Sequence, residues 1–231
     1  MDTNNLQWGW RPHGDKRTLG YPMTLDLYDG IELDLPSSIM WSLGPILDQG
    51  QTTHCVGYAW KQWQQSTPLQ TLDGPSADEI FAQCAILDGD PNEDGSTTQT
   101  GVKAMGREGR IQTYLWEFSL GVFKQWILGR GPIVVGTCWY EAMFEPDADH
   151  YVHPVGPDAG GHEYMCYGYQ ASTDSFKFVN SWGTDWGDKG TFWMKSADVN
   201  KLIWHDSNLH GDACAAVEKK LTPITPGTAT H

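Results

Sequence analysis

The chain has little with which to build a covalent framework. Its 231 residues include five cysteines, an odd number, and none of them forms a C-x-x-C pair. Cys84, Cys138, Cys166 and Cys214 sit among apolar or small neighbours, as in "FAQCAI" and "YMCYGY". That is the pattern of buried thiols in a reducing compartment, and it argues against a disulfide-stapled fold. Basic residues are scarce: 15 Lys and Arg stand against 29 Asp and Glu, for a net charge of −14. Such a surface repels phosphate backbones, and no basic cluster offers an exception, so nucleic acid is not an expected partner. Long apolar runs are also missing, and no charged-then-apolar segment opens the chain. The expectation is no membrane span and no signal peptide.

What is present suits a globular protein with a real core. The composition is 39% hydrophobic and 19% charged, with 12 tryptophans. Most of these indoles belong inside, where each contributes a few kcal/mol, and a minority could line a substrate groove. Residues 1–35, rich in Gly, Pro and charge, read as an extended arm that packs on the body through Trp8 and Trp10 of "WGW". Residues 36–54 look like loop. From Cys55, "CVGYAWKQWQQS" places Val56, Ala59, Trp60 and Trp63 at helical spacing. "SADEIFAQCAIL" is a second helix, with Ser76 and Glu79 as a capping box. "TGVKAMGRE" is a weaker helix, and "SLGVFKQWILG" a further one capped by Ser119 and ended by Gly129. The texture then changes to β-like runs: "PIVVGTCW", "HEYMCYGYQ", "SFKFVNSW", "GTFWMK" and "ACAAVEKK". An α+β protein of two lobes is expected, a mainly helical one over 36–112 and a mainly β one over 113–221, with a cleft between them and a tail over 222–231.

One cysteine differs from the rest. Cys55 follows a polar run, "DQGQTTHC", and opens a helix, where the N-terminus favours the thiolate. It needs an imidazole from elsewhere. Among eight histidines, His54 is adjacent in sequence and should point away, while His13, His150, His153, His205, His210 and His231 lie in loops or near the termini. His162 opens a β-run after two glycines, which let the backbone of a partner or substrate come close. Asn180 ends the next hydrophobic strand. Paired with the strand of His162, its amide can bond the imidazole and fix the tautomer.

In order, "DQGQTTHCVGYAW", "GGHEYMCYGYQ" and "NSWGTDWGDKGTFWMK" resemble the three signature blocks of the papain-like cysteine peptidases. "LPSSIMW" is similar to the start of their mature domain and "GPIVVG" to the first barrel strand of their second lobe. The resemblance covers residues 36–220. It implies a helical left lobe and an antiparallel β-barrel right lobe with the active-site cleft between them. It implies Cys55 as nucleophile, His162 as general base and acid, Asn180 as the group orienting the imidazole, and Gln49 as a side-chain donor of the oxyanion hole. Trp182 would shield the imidazole contact, Gly161 would lie beside substrate, and Glu163 would line a substrate side-chain pocket, where it could favour a basic group. The implied activity is thiol-dependent peptide-bond hydrolysis, with a polypeptide as partner and no cofactor.

The sequence also departs from that pattern. Thr52 stands where the family commonly has a cysteine, so Cys84 has no bridge partner there. Thr53, His54 and Val56 replace the usual neighbours of the nucleophile. The Cys55–His162 separation is 107 residues (162 − 55), below the ~130–150 of papain-type members. The chain is thus closer to compact bacterial or phage members; with no signal peptide and no disulfide framework evident, a cytoplasmic or virion-associated location is expected. The same fold acting on a non-peptide amide such as peptidoglycan, or a silent binding module, are the rival readings.

Two further motifs carry less. Asp90, Asn92, Asp94 and Gly95 have the first half of a calcium-loop spacing, but Gly101 stands where the bidentate Glu belongs. Asp147, Asp149, His150 and His153 have too few constraints for a metal. Both read as solvated loops, and no metal site is expected.

Overall fold

The computed structural model describes residues 9–12, 35–90, 92, 94–116, 119–206 and 210–219. Trp8, most of the expected arm and the 222–231 tail lie outside the described residues.

Three helices form one side of the molecule. α1 is Cys55–Gln65, α2 Ala77–Asp88 and α3 Thr98–Arg107. α2 starts where its capping box dictates: Ser76 Oγ accepts the Glu79 N–H at 3.2 Å and Glu79 Oε2 accepts the Ser76 N–H at 2.7 Å. It stops at Gly89, whose φ of 83° lies in the left-handed region that glycine tolerates. α3 begins two residues earlier than its sequence suggests, because Thr97 accepts the Thr100 N–H and caps it.

The other side is a sheet of antiparallel strands: β1 Ile39–Met40, β2 Ile111–Leu115, β3 Ile133–Tyr140, β4 Asp158–Gln170, β5 Ser175–Val179, β6 Thr191–Lys195 and β7 Asp212–Glu218. The order is β2-β7-β3-β4-β5-β6, with β1 added to β4. The family resemblance implies a β-barrel right lobe; the helical and antiparallel β lobes are present, and the sheet is not closed. β2 and β6 are the two ends of the path, and they do not pair with each other. The right lobe is therefore an open sheet. β2 itself is not evident in the sequence, since only Ile111 of its five residues is fully buried.

β3 is buried on both faces and so separates two cores. On one face, Ile133, Val135 and Trp139 pack with Phe123 and Ile127 of α4, Leu120–Gly129. On the other, Val134 meets Met165, Val179 and Cys214 together with Val56, Trp60 and Trp63 of α1. α1 thus lies against the sheet, with its first residue facing β4. The strand register sets Thr137 opposite His162 and Gly136 opposite Glu163.

All five cysteines are buried and free: the four expected from their apolar neighbours, and Cys55 as well. Among the described residues, no helix is long and apolar enough to cross a membrane, and no cluster of His, Cys, Asp and Glu could hold a metal ion.

Candidate active site

Cys55 is the first residue of α1 and has no solvent exposure. Backbone N–H groups of Glu163, Gly9 and Val56 surround its sulfur and favour the thiolate. They lose to burial, helped by the charge that Glu163 carries when ionised, and the thiol is pushed up to about 12. His54, next to it, turns away as expected: its Nδ1 lies 2.7 Å from Asp78 Oδ1 and its ring stacks on Phe81.

His162 comes from the middle of β4, and Asn180 follows β5, the strand paired with it. His162 Nε2 lies 2.8 Å from Asn180 Oδ1, and that same oxygen accepts the Ser181 N–H at 2.8 Å. An oxygen already accepting a backbone N–H cannot donate. Nε2 therefore carries the proton, and the proton-accepting lone pair of the neutral ring is on Nδ1. Trp182 stacks on the imidazole at 4.8 Å and Trp139 meets it edge-on at 5.1 Å. This aromatic box excludes water, and burial pulls His162 down to about 4. The two segments of the site are linked through the backbone N–H of Glu163, the residue after His162, which favours the Cys55 thiolate.

Gln49 is tied to the same corner. Its N–H donates to the Ser181 carbonyl at 2.8 Å, and its Oε1 accepts the Ser181 hydroxyl at 2.6 Å. Asp48 and Trp182 form an antiparallel bridge beside it. The Gln49 Nε2 donates to the Thr52 carbonyl at 2.8 Å, so the polar loop before Cys55 is curled.

What sequence reasoning missed is the path of the arm. Residues 9–11 run across the cleft, above Cys55. Trp10 N–H donates to the Gly161 carbonyl at 3.2 Å on the β side. On the helical side, Ser96 N–H donates to Gly9 O at 2.6 Å and Arg11 N–H to Ser96 O at 2.8 Å, a parallel bridge. Arg11 adds a bond to Gly95 O at 3.1 Å and an ion pair with Asp88 at 3.6 Å. Gly9 is the only residue type that fits its place: a Cβ there would stand 1.6 Å from the Thr53 carbonyl oxygen. The backbone that comes close at Gly161 is that of the chain's own Trp10, where a partner or substrate was expected. The one trace of this in the sequence is a glycine held between two tryptophans.

Among the described residues, no basic group acts on Glu163. It is buried, accepts the Thr98 hydroxyl at 2.8 Å, and is raised to about 8 by burial, so it is neutral at pH 7. The two loops suspected of metal binding are satisfied internally. Asp90 Oδ1 accepts the Asn92 N–H at 3.0 Å. Asp147 takes the N–H groups of Asp149 and Tyr151 and pairs with His153 at 2.9 Å.

Comparison with known proteins agrees with this geometry. The model of the papain family cysteine proteases matches residues 92–210, which include His162 and Asn180. Cathepsin B of Dictyostelium discoideum is 34% identical over 76 residues, covering 32% of this chain and 24% of that protein. Cathepsin B-like cysteine proteinase 5 of Caenorhabditis elegans is 37% identical over 68 residues, 29% of this chain and 20% of that protein. The chain thus matches about a quarter or less of these relatives' length. Among solved structures, Xylellain, a cysteine protease from Xylella fastidiosa, superposes with a TM-score of 0.72 at 17% identity, over 94% of this chain and 97% of that one. Procathepsin B S9 from Trypanosoma congolense gives 0.67 at 16% identity, over 94% and 88%. The fold is shared across nearly the whole chain, and the family's model matches more than half of it: this chain belongs to the papain family of cysteine proteases.

Proposed function

We propose that the chain is a cysteine peptidase that cleaves polypeptides through Cys55 and His162. His162 Nδ1 takes the Cys55 thiol proton, and the sulfur adds to the scissile carbonyl carbon. The Cys55 N–H and the Gln49 amide hold the resulting oxyanion, and one such donor is worth about 3 kcal/mol. The imidazolium returns its proton to the leaving amine, which departs and leaves a thioester. A water molecule, deprotonated by His162, then adds to the thioester. The sulfur leaves as thiolate and recovers the proton, and the acid product is released. Asn180 keeps the imidazole in the productive tautomer throughout, and Trp182 keeps water off that bond. No cofactor enters these steps.

The observation that carries this reading is the 2.8 Å bond from His162 Nε2 to Asn180 under the Trp182 ring. The arm adds a condition. With Gly9 over the sulfur, Cys55 and His162 are both neutral and closed to substrate. Activity requires residues 9–11 to leave the cleft, and the Gln49 amide must exchange Thr52 for the oxyanion.

A peptidyl epoxide tests the assignment. It is expected to label Cys55 of the reduced protein once the arm is displaced, and Cys55→Ala should neither label there nor hydrolyse peptide. Labelling confined to other cysteines, or hydrolysis that survives Cys55→Ala, sinks the reading. Activity on cell-wall amides with none on peptides would move the same site to the non-peptide alternative.

A further inference from the structure

Trp10 shows what the cleft accepts. Its indole is buried, 3% exposed, on the sheet face that meets the helices. The space it fills exists because two strand positions carry no side chain. A Cβ at Gly136 would stand 2.0 Å from Trp10 Nε1, and one at Gly161 would stand 2.8 Å from Trp10 Cε3. The floor of the space is polar and directional. Trp10 Nε1 donates to Thr98 Oγ1 at 2.9 Å, and Thr98 Oγ1 donates to Glu163 Oε2 at 2.8 Å. With its proton committed to the carboxyl, the Thr98 hydroxyl offers only a lone pair, which calls for an N–H or O–H on the occupant. Glu163 is fully buried, and its Oε1 has no hydrogen-bond partner among the described residues.

The backbone edges around this space are those that would hold an extended peptide. The Gly161 carbonyl, one residue before His162, takes a backbone N–H, and Ser96 pairs through both its N–H and its carbonyl. A side chain entering here belongs to a peptide lying beside the reacting groups.

We propose that this space is the selective side-chain pocket of the cleft, and that it takes the indole of a tryptophan in a polypeptide substrate, in competition with the chain's own Trp10. The inference rests on the peptidase reading and adds the substrate class. Leucine fills less of the volume and brings no donor. Phenylalanine fills it but leaves the Thr98 lone pair without a donor. Lysine and arginine bring donors, but seating them strips their charge of water and requires ionising a carboxyl that burial raises to about 8.

The test uses the full chain carrying Trp10→Ala and fluorogenic peptides that differ only at the residue seated in the pocket. The Trp peptide is expected to exceed the Leu and Arg peptides by about tenfold or more in kcat/KM, and the Phe peptide by about fivefold, the worth of one hydrogen bond. Thr98→Val in that background should bring the Trp-to-Phe ratio close to one. Equal rates, or preference for Leu or Arg, overturn the pocket assignment and leave the peptidase reading standing. If no peptide is cleaved, binding decides. Cys55→Ala with Trp10→Ala should gain thermal stability from N-acetyltryptophanamide and not from N-acetylleucinamide. A gain from both or neither overturns the proposal. Should Trp10→Ala not fold, Gly9→Ala displaces the arm at its backbone, and the same comparisons apply.

Discussion

Trp10 donates its backbone N–H to the Gly161 carbonyl at 3.2 Å, one residue before the imidazole of His162. Together with the indole bond to Thr98, this pins the arm over a sulfur that has no exposure to solvent. Trp→Ala at a buried site costs about 3–5 kcal/mol. Trp10→Ala should therefore raise the alkylation rate of Cys55 by about two orders of magnitude, read by intact mass and peptide mapping. An unchanged rate would mean that the arm does not control access.

Gly9→Ala separates the backbone path from the indole. The added methyl would stand 1.6 Å from the Thr53 carbonyl oxygen, a contact that only displacement of the arm relieves. It should expose Cys55 as Trp10→Ala does, although Trp10 and the whole body of the protein are intact. Slow alkylation in this variant, with a melting temperature equal to that of the parent, would contradict the described path.

Much of this molecule can be read from the sequence where the signal is local. The Ser76–Glu79 capping box starts α2, and Ser119 caps α4 through the Val122 N–H. Cys55 opens α1, and His162 and Asn180 meet because their strands pair. The arm's route is different. It depends on a one-residue bridge between Trp10 and Ser96 and on space left by Gly136 and Gly161, contacts between residues far apart in the chain. Periodicity contains none of this. The open sheet is hidden for the same reason: five β-runs reveal strands, but which two strands end the order is a matter of tertiary pairing.

Two buried groups set the pH dependence of stability. Burial lowers His162 from 6.5 to about 4. The folded protein then binds fewer protons than the unfolded chain in that interval, so stability rises with pH through it. Burial raises Glu163 from 4.5 to about 8. Its contribution is fully present below pH 4.5 and is lost as pH rises towards about 8. Between pH 4.5 and 6.5 the two slopes oppose each other and stability should be nearly flat. Above 6.5 only Glu163 acts, and stability should fall by up to about 1.4 kcal/mol per pH unit. Melting temperatures across pH 4–8 check this. Glu163→Gln should abolish the fall above 6.5 and leave a rise below it; a fall that persists in this variant would assign the effect elsewhere.

In the reaction proposed above Asn180 acts only through His162, so its loss should be visible in kcat. Its Oδ1 holds the Nε2 proton of the imidazole at 2.8 Å and is itself held by the Ser181 N–H. Asn180→Ala lets the ring adopt the other tautomer, in which Nδ1 carries the proton and cannot accept one from Cys55. In the arm-displaced Trp10→Ala background, kcat should drop by roughly tenfold or more, a fraction of the ~10²–10⁴ that a positioned general base provides. KM should change little, because Asn180 is buried behind Trp182 and meets no substrate. Asn180→Gln cannot place its amide at the same point and should not restore the rate. A variant that loses affinity with kcat intact would instead make Asn180 part of the substrate groove.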